Sequence, residues 1–466
     1  MSVIDSSYRP RRIHKLLVAN RGEIALRVIR AARELGMRSV AVYSDADRDA
    51  LATRMADEAV HIGPAHATRS YLNVDAVLKA ARETGVQAVH PGYGFLSENA
   101  AFAQAVSDAG LIFVGPDAET IRKMGDKAAA RACALAAGVP TVPGSAGVVS
   151  SLDEALTHAG GMGYPLMIKA AAGGGGRGIR VVQDEAELRA QMPQAQAEAQ
   201  AAFGYGGVYL ERYLPRARHI EVQVLGDGKN AIHLYERECS LQRRRQKVFE
   251  EAPSPALDAA TRQRLCESAA QLARSVGYRG AGTLEFLYDD SRGAHDFYFI
   301  EMNTRIQVEH PITEAVTGVD LVREMLRIAD GEPLRWRQQD ISLRGAAIEC
   351  RLNAEDPQRN FAPSPGRVDQ LRWPGGPGVR VDSMLYPGCT VSPYYDSLLA
   401  KLIVWDEDRG AALARLSRAL DEVELDGVHS TLALHRALAQ DPEVAAGNYH
   451  TNWLEAWMRA EREEQR

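Results

Sequence analysis

The chain reads as an α/β protein built in three lobes, and three observations predict it. Residues 13–125 alternate apolar strand runs with helical runs, the pattern of a doubly wound parallel sheet. Around 165–182 a strand, a run of glycines and a second strand follow one another. From 281 to 310 two alternating runs flank a loop of turn formers and read as an antiparallel hairpin. At about 150 residues per domain, 466 residues also suggest three domains.

In the first lobe the expected strands are 16–18, 39–43, 88–90 and 111–114, and the expected helices 23–35, 73–84 and 99–109. The first strand meets its helix through Ala19-Asn-Arg-Gly-Glu23, which lacks the Gly-x-Gly-x-x-Gly fingerprint and so gives a dinucleotide site little support. The loop His90-Pro-Gly-Tyr-Gly-Phe95 leaves the carboxyl end of a strand, where open α/β sheets bind ligands; a structural turn explains it as well.

The second lobe starts near Gly125-Asp-Lys127 with a helix. Gly173, Gly174, Gly175 and Gly176 are consecutive, and each costs backbone entropy on ordering, so close approach of backbone to a phosphate is the stronger explanation than a plain flexible turn. This is no Walker A loop, since no Gly-Lys-Ser/Thr ends it. Lys169, at the end of the apolar strand before it, can reach phosphate oxygens while the loop acts as a lid. A solvated Ala/Gln-rich helix is expected at 190–202, a strand at 208–214 leading into a linker whose backbone can meet an adenine edge, a hairpin of 219–225 and 231–235, and an amphipathic helix at 257–276.

The hairpin at 281–310 carries the chemistry. If the extension persists, Glu301, Asn303, Arg305, Gln307 and Glu309 share one face. A register that sets Glu285 opposite Glu301 brings two carboxylates to roughly 5 Å at Cβ, where their charges repel and raise one pKa. A hard divalent cation on Glu285, Glu301 and Asn303 removes the conflict and keeps positions for phosphate oxygens. The alternative is a solvated edge hairpin, against which Phe297 and Phe299 on the same face argue. Beyond it come a helix at 321–329, a strand at 346–352, a Pro/Gly-rich loop at 363–377 and a helix on a strand at 408–425.

Net charge −6 and a pI near 6.1 leave no electrostatic footprint for nucleic acid, although Gln242-Arg-Arg-Arg-Gln-Lys247 is a local basic cluster suited to a small anion. No apolar run approaches the ~20 residues of a membrane span and no signal sequence opens the chain, so no membrane partner and a cytoplasmic location are expected. Five cysteines without a Cys-x-x-Cys fit a reducing compartment.

Taken together, these residues resemble the biotin carboxylase family of ATP-grasp ligases from about 13 to 454. The resemblance is carried by Lys169 with Gly173-Gly-Gly-Gly-Arg-Gly178, Glu285, Glu301-Met-Asn-Thr-Arg-Ile-Gln-Val-Glu-His310, Glu349-Cys-Arg-Leu-Asn-Ala-Glu-Asp356 and Tyr394-Tyr-Asp-Ser397. It implies a Rossmann-like pre-ATP-grasp domain at 1–125, an ATP-grasp domain at 126–330 with a mobile glycine-rich lid at about 141–214, and a mixed α+β C-terminal biotin carboxylase domain at 341–455. By the same resemblance Lys127, Lys169, Glu211, Leu214, His219 and Gln242 line an ATP site with the glycines. Glu285, Glu301 and Asn303 hold Mg²⁺ or Mn²⁺, two ions in all. Lys247, Arg305, Gln307, Val308 and Glu309 surround bicarbonate, and Tyr93 and Arg351 face biotin. One departure stands out: Arg245 occupies the place of a family histidine near ATP.

The activity so implied is ATP-dependent carboxylation of biotin by bicarbonate, through carboxyphosphate, as the first half-reaction of an acetyl-CoA or related acyl-CoA carboxylase. Arg305 offers a fork that matches two carbonate oxygens, Glu309 can take a proton, and Arg351 can stabilise an enolate-like ureido oxygen. Plain ion pairs compete with these roles: Arg305 with Glu309, and Arg351 with Glu349 or Glu355. Rival functions are another ATP-grasp ligase, such as a carbamoyl-phosphate synthetase half, or a nucleotide-sensing protein without turnover. Met-Lys occurs nowhere in the sequence, so biotin is expected on a separate biotin carboxyl carrier protein, with carboxyltransferase subunits elsewhere. Tyr394-Tyr-Asp-Ser397 leans towards the acetyl-CoA branch. A homodimer through the first and third lobes is expected, Arg30 and Glu34 matching positions used there; an ordinary i, i+4 pair explains these two equally well.

Overall fold

The computed structural model describes residues 12–145, 147–171, 179–291 and 296–464. It divides into two compact units: Met1–Val139 with Arg218–Phe286 and Glu301–Arg466, and Pro140–Ala217 with Leu287–Ile300.

The first unit opens on a parallel five-stranded sheet in the order β3-β2-β1-β4-β5, formed by β1 (Lys15–Val18), β2 (Arg38–Ser44), β3 (Glu58–Gly63), β4 (Ala88–His90) and β5 (Ile112–Phe113). The alternating pattern anticipates all but β3, an edge strand whose outer positions stay exposed and which therefore lacks a continuous apolar run. Helices Val74–Thr84 and Ala100–Asp108 begin where Asn73 and Asn99 accept the N–H of Ala76 and Phe102, satisfying orphan donors of the first turn. The loops after β1 and β4 are knitted together, because the Asn20 amide donates to the carbonyls of Pro91 and Tyr93, each at 2.7 Å. A Cβ on Gly92 would lie 2.8 Å from that amide, so the glycine there has a packing reason of its own.

In the second unit β6 (Leu166–Ala170), β7 (Ile179–Val182) and β8 (Val208–Arg212) form an antiparallel sheet in the order β7-β6-β8. Gly173, Gly174, Gly175 and Gly176, which fall between β6 and β7, lie outside the described residues. The helix expected to be merely solvated spans Glu185–Phe203 and packs Leu188, Met192 and Ala195 into the same core as Ile168 and Leu210. Its apolar stripe starts upstream of the Ala/Gln-rich stretch, so the composition of that stretch conceals it.

The large sheet runs β13-β12-β9-β10-β11-β14-β16-β15, with β9 (Ala217–Asp227), β10 (Ala231–Arg243), β11 (Gln246–Ala252), β12 (Arg279–Asp289), β13 (Phe297–Asn303), β14 (Ala346–Asn353), β15 (Val379–Ser383) and β16 (Leu398–Asp406). Strands beyond residue 341 thus continue the sheet of the preceding segment, β14 pairing antiparallel with β11 from Phe249↔Cys350 to Ala252↔Ala347. The basic cluster turns out to be a hairpin: β10 and β11 meet at Arg243↔Gln246, and the two linking residues, Arg244 and Arg245, have φ of 48° and 66°. Positive φ at both positions of a two-residue loop suits the strand twist, although arginine is unusual there. The extended face predicted for 301–309 ends at Asn303; a bend and turn follow, then helix His310–Thr317, with Pro311 in its first turn, where a missing N–H costs nothing. Among the described residues no helix is long and apolar enough to cross a membrane.

Candidate active site

Alternation on β9 puts His219, Glu221 and Gln223 on one face, and the neighbouring strands bring charged partners to each. Arg237 on β10 pairs in register with Glu221, donates to it from Nε at 2.6 Å, and also reaches Gln223, Thr313 and Gln307 while fully buried. Lys247, opposite Gln242 in the β10–β11 hairpin, sends its ammonium to three carboxylates: Glu221 at 2.5 Å, Glu309 at 2.6 Å and Glu285 at 3.1 Å. Burial would lower the Lys247 pKa, but these carboxylates raise it well above the ordinary lysine value.

Glu309 sits in the turn after β13, its second oxygen 3.0 Å from Arg351 Nη2. Arg351 on β14 also donates from Nε to Glu250 of β11 at 2.6 Å. Burial opposes ionisation of Glu309, yet Lys247, Arg351 and Arg237 hold its carboxyl well below the usual carboxylate range. Glu250 shows the reverse balance: burial dominates, Arg351 only partly offsets it, and its pKa rises to about 7. Among the described residues the competing ion pairs are not formed: Arg305 pairs with Glu98 at 2.8 Å rather than with Glu309, and Arg351 pairs with Glu250 and Glu309 rather than with Glu349 or Glu355.

Around Glu285, the Asn303 amide donates at 2.9 Å, the Gln307 amide at 3.1 Å, and His219 Nε2 stands 3.0 Å from the other oxygen. Gln242 in turn lies 2.9 Å from His219 Nδ1. Burial would raise Glu285, but Lys247 and His219 pull it far down, whereas half-buried Glu301 is raised by burial and by the charge of Glu285. That residual repulsion between two carboxylates, with an amide oxygen on Asn303, is a donor set that fits a hard divalent cation. Lys127, at the start of helix Lys127–Ala136, acts electrostatically on Glu301 and partly offsets that rise.

Further out, Lys401 on β16 is fully buried, donates to the Val308 carbonyl at 2.9 Å and pairs with Glu23 at 3.2 Å. Glu23 also accepts from the Tyr93 hydroxyl. Tyr93, Arg21, Tyr394 and Asp396 help line a cavity of about 340 Å³. In the second unit Lys169 on β6 forms an ion pair with Glu211 on β8, while Leu214 packs with Val142, Ala217 and Tyr298.

Comparison with known proteins decides the family. Residues 12–121 match the Biotin carboxylase, N-terminal domain, residues 126–337 the Carbamoyl-phosphate synthase L chain, ATP binding domain, and residues 349–456 the Biotin carboxylase C-terminal domain. The chain is 56% identical over 445 residues to the biotin carboxylase of Pseudomonas aeruginosa, spanning 95% of this chain and 98% of that one. The chain belongs to the biotin carboxylase family. It is also 52% identical over 446 residues to biotin carboxylase 1 of Bacillus subtilis, spanning 96% of this chain and 99% of that one. Among solved structures, the biotin carboxylase domain of a thermophilic 2-oxoglutarate carboxylase bound to bicarbonate aligns with a TM-score of 0.91 at 46% identity, over 96% of this chain and 98% of that one.

Within this biotin carboxylase fold, Lys247 and Gln307 both meet Glu285, Lys247 also joins Glu309, and Arg351 lies on the other oxygen of Glu309. Arg305 is turned to Glu98 and Asn303. Sequence reasoning missed Glu221, Arg237 and Glu250. Glu221 lies two residues from His219 on the alternating run 219–225, so it shares the face of a residue that the resemblance named; Arg237 and Glu250 acquire their contacts only through strand pairing and carry no local mark.

Proposed function

We infer that this chain carboxylates biotin, presented on a biotin carboxyl carrier protein, at the expense of ATP and with bicarbonate as carbon source. The observation that carries the reading is Glu309 held between Lys247 and Arg351, an acid–base group between two cations in a buried site. ATP phosphorylates bicarbonate to carboxyphosphate, whose carboxyl group passes to the biotin ureido nitrogen. When bound, a divalent cation at Glu285 and Glu301 supplies charge neutralisation for the phosphates.

Each protein group has a task that its surroundings support. Lys247 gives an anion a fixed positive charge in a dry site. Glu309 is ionised and so can accept a proton; its basicity rises when an incoming anion draws Lys247 away from it. Arg351 commits Nε and Nη2 to Glu250 and Glu309, and among the described residues Nη1 makes no hydrogen bond, leaving a donor for the biotin ureido oxygen. Tyr93 is assigned to the biotin side, Gln307, Val308 and Arg305 to bicarbonate, and Lys127, Lys169, Glu211, Leu214, His219, Gln242 and the glycines to ATP. The three-domain division at 1–125, 126–330 and 341–455 is part of the same proposal.

The partners follow from that chemistry. A separate carrier delivers biotin, and a carboxyltransferase, which chooses the acyl acceptor, consumes the product. We further propose a homodimer; Glu34, a candidate for its interface, lies 3.5 Å from Arg323 in the monomer rather than pairing with Arg30. ATP hydrolysis that requires both bicarbonate and free biotin is the expected result. Hydrolysis with bicarbonate but indifferent to biotin would favour a different ATP-grasp ligase, and nucleotide binding without hydrolysis a sensing protein.

A further inference from the structure

Behind Arg351 lies a pair of glutamates that the reaction as described does not use. Glu250 on β11 and Glu349 on β14 are direct register partners, so their side chains leave the same face of the sheet, roughly 5 Å apart at Cβ. Both are fully buried. Glu250 Oε1 accepts from Arg351, but Glu250 Oε2 and both oxygens of Glu349 have no hydrogen-bond partner among the described residues. Two ionised carboxylates placed so, with dry unpartnered oxygens, are not tolerable. The charges around them do not cure this. Lys247 on β11 is spent on three other carboxylates, Arg351 on β14 is shared between Glu250 and Glu309, and Lys401 on β16 is committed to Val308, Glu23 and Asp382. Glu309 adds a further negative charge, the thiols of Cys239 and Cys350 stay protonated by burial, and His310, at the start of its helix, is kept neutral by burial and by Lys401.

A shared proton resolves the conflict. One carboxyl, kept neutral, donates to the orphan oxygen of the other, as in sites where two acids hold one proton between them. We propose that Glu349 is that protonated partner, that it donates to Glu250, and that the pair acts as the positioning device for Arg351. Glu250 then presents a single, fixed carboxylate to Arg351 Nε, which holds the guanidinium plane so that Nη2 meets Glu309 and Nη1 points to the substrate side. The burial of both carboxyls agrees, since it raises Glu349 well above the ordinary value and Glu250 to about 7. The functional half of this proposal rests on the assignment of Arg351 to biotin; the proton-sharing half does not.

The two halves are tested separately on the full-length protein. Infrared difference spectroscopy between wild type and Glu349→Gln at neutral pH should show a protonated carboxyl band present only in the wild type. A wild type without such a band, or a band that survives in E349Q, overturns the shared proton whatever the activity measurements show. Kinetically, Glu250→Gln should raise the KM for free biotin by on the order of tenfold or more, the loss of one charged hydrogen bond, while the KM for ATP changes less than about twofold. Glu349→Leu, which offers Glu250 no donor, should show the same biotin-selective defect, and Glu349→Gln, which restores a donor at nearly the same volume, should be milder. Equal impairment of E349Q and E349L, or E250Q and E349L variants with unchanged biotin KM, overturns the positioning role. Loss of the bicarbonate and biotin requirement in the wild type would instead remove the functional reading and leave the spectroscopic result standing.

Discussion

The two units each contain a lysine placed against glutamate, and they solve the problem differently. In the second unit Lys169 and Glu211 come from adjacent strands of a three-stranded sheet and keep about a third and a quarter of their side-chain surface in water. In the first unit Lys247 sits among Glu221, Glu285 and Glu309, with only 12% of its side chain exposed and Glu221 fully buried. The first arrangement is local, solvated and cheap to rearrange when a ligand takes over the lysine. The second is assembled from β9, β11, β12 and the turn after β13, and it stands only because each charge is balanced by others. On the roles proposed for them, a site that deprotonates and repositions a small anion needs this rigidity, whereas a lysine that reaches for phosphate oxygens needs freedom to move.

The largest effect is expected in the first unit, at Glu301, which we propose as a cation ligand together with Glu285. Glu301→Gln removes one ligand charge at nearly constant volume, so turnover is expected to fall by on the order of a thousandfold, with the thermal midpoint little changed. Steady-state ATP hydrolysis and a melting curve check both halves, and full activity would refute the assignment.

Next in size is Lys247→Met, which strands three buried carboxylates. A stability loss of about 3–5 kcal/mol is expected in chemical denaturation. A change below about 1 kcal/mol would mean that the cluster is far wetter than its burial suggests.

A third prediction concerns pH. The carboxyl of Glu309 is lowered in the folded state, so it stabilises the fold above its unfolded pKa of about 4.3, and that contribution is lost as pH falls from there through the folded value. Glu309→Gln should therefore be less stable than wild type at pH 7, with the gap narrowing below about pH 4. Denaturation midpoints of the two proteins across that range decide the matter; a gap independent of pH would contradict it.

The smallest effect is expected in the second unit. Glu211→Gln should cost about 0.2–1 kcal/mol of stability, as partly exposed pairs do. A loss as large as that of Lys247→Met would erase the distinction between the two regions.

The same contrast explains how much the sequence disclosed. Period-two alternation and the turn formers around it are local signals, and they give β12 and β13, the adjoining strands that carry Glu285, Glu301 and Asn303, the cation ligands we propose. The glycine-punctuated alternation at 13–125 likewise gives the parallel sheet, apart from its half-exposed edge strand β3. The end of the extended face at Asn303 was not legible, because Thr304 and Arg305 bend to meet Glu98, a partner about 200 residues away in sequence. Nor was Arg237, whose five hydrogen bonds all reach groups on other elements. The β10–β11 hairpin was hidden because a run of basic residues resembles a solvated loop until Arg244 and Arg245 are seen to turn it.

The role we propose for Glu309, held between Lys247 and Arg351, is that of the base that takes up protons as bicarbonate carbon is transferred to biotin. Its most direct test is to supply radiolabelled bicarbonate, ATP and free biotin, and to trap the label in acid-labile carboxybiotin with wild type and with Glu309→Gln. Label should accumulate in proportion to ADP with the wild type and stay at background with the variant, which should still bind ATP. Equal labelling by the two proteins, or none by the wild type while ATP is hydrolysed, would contradict the account.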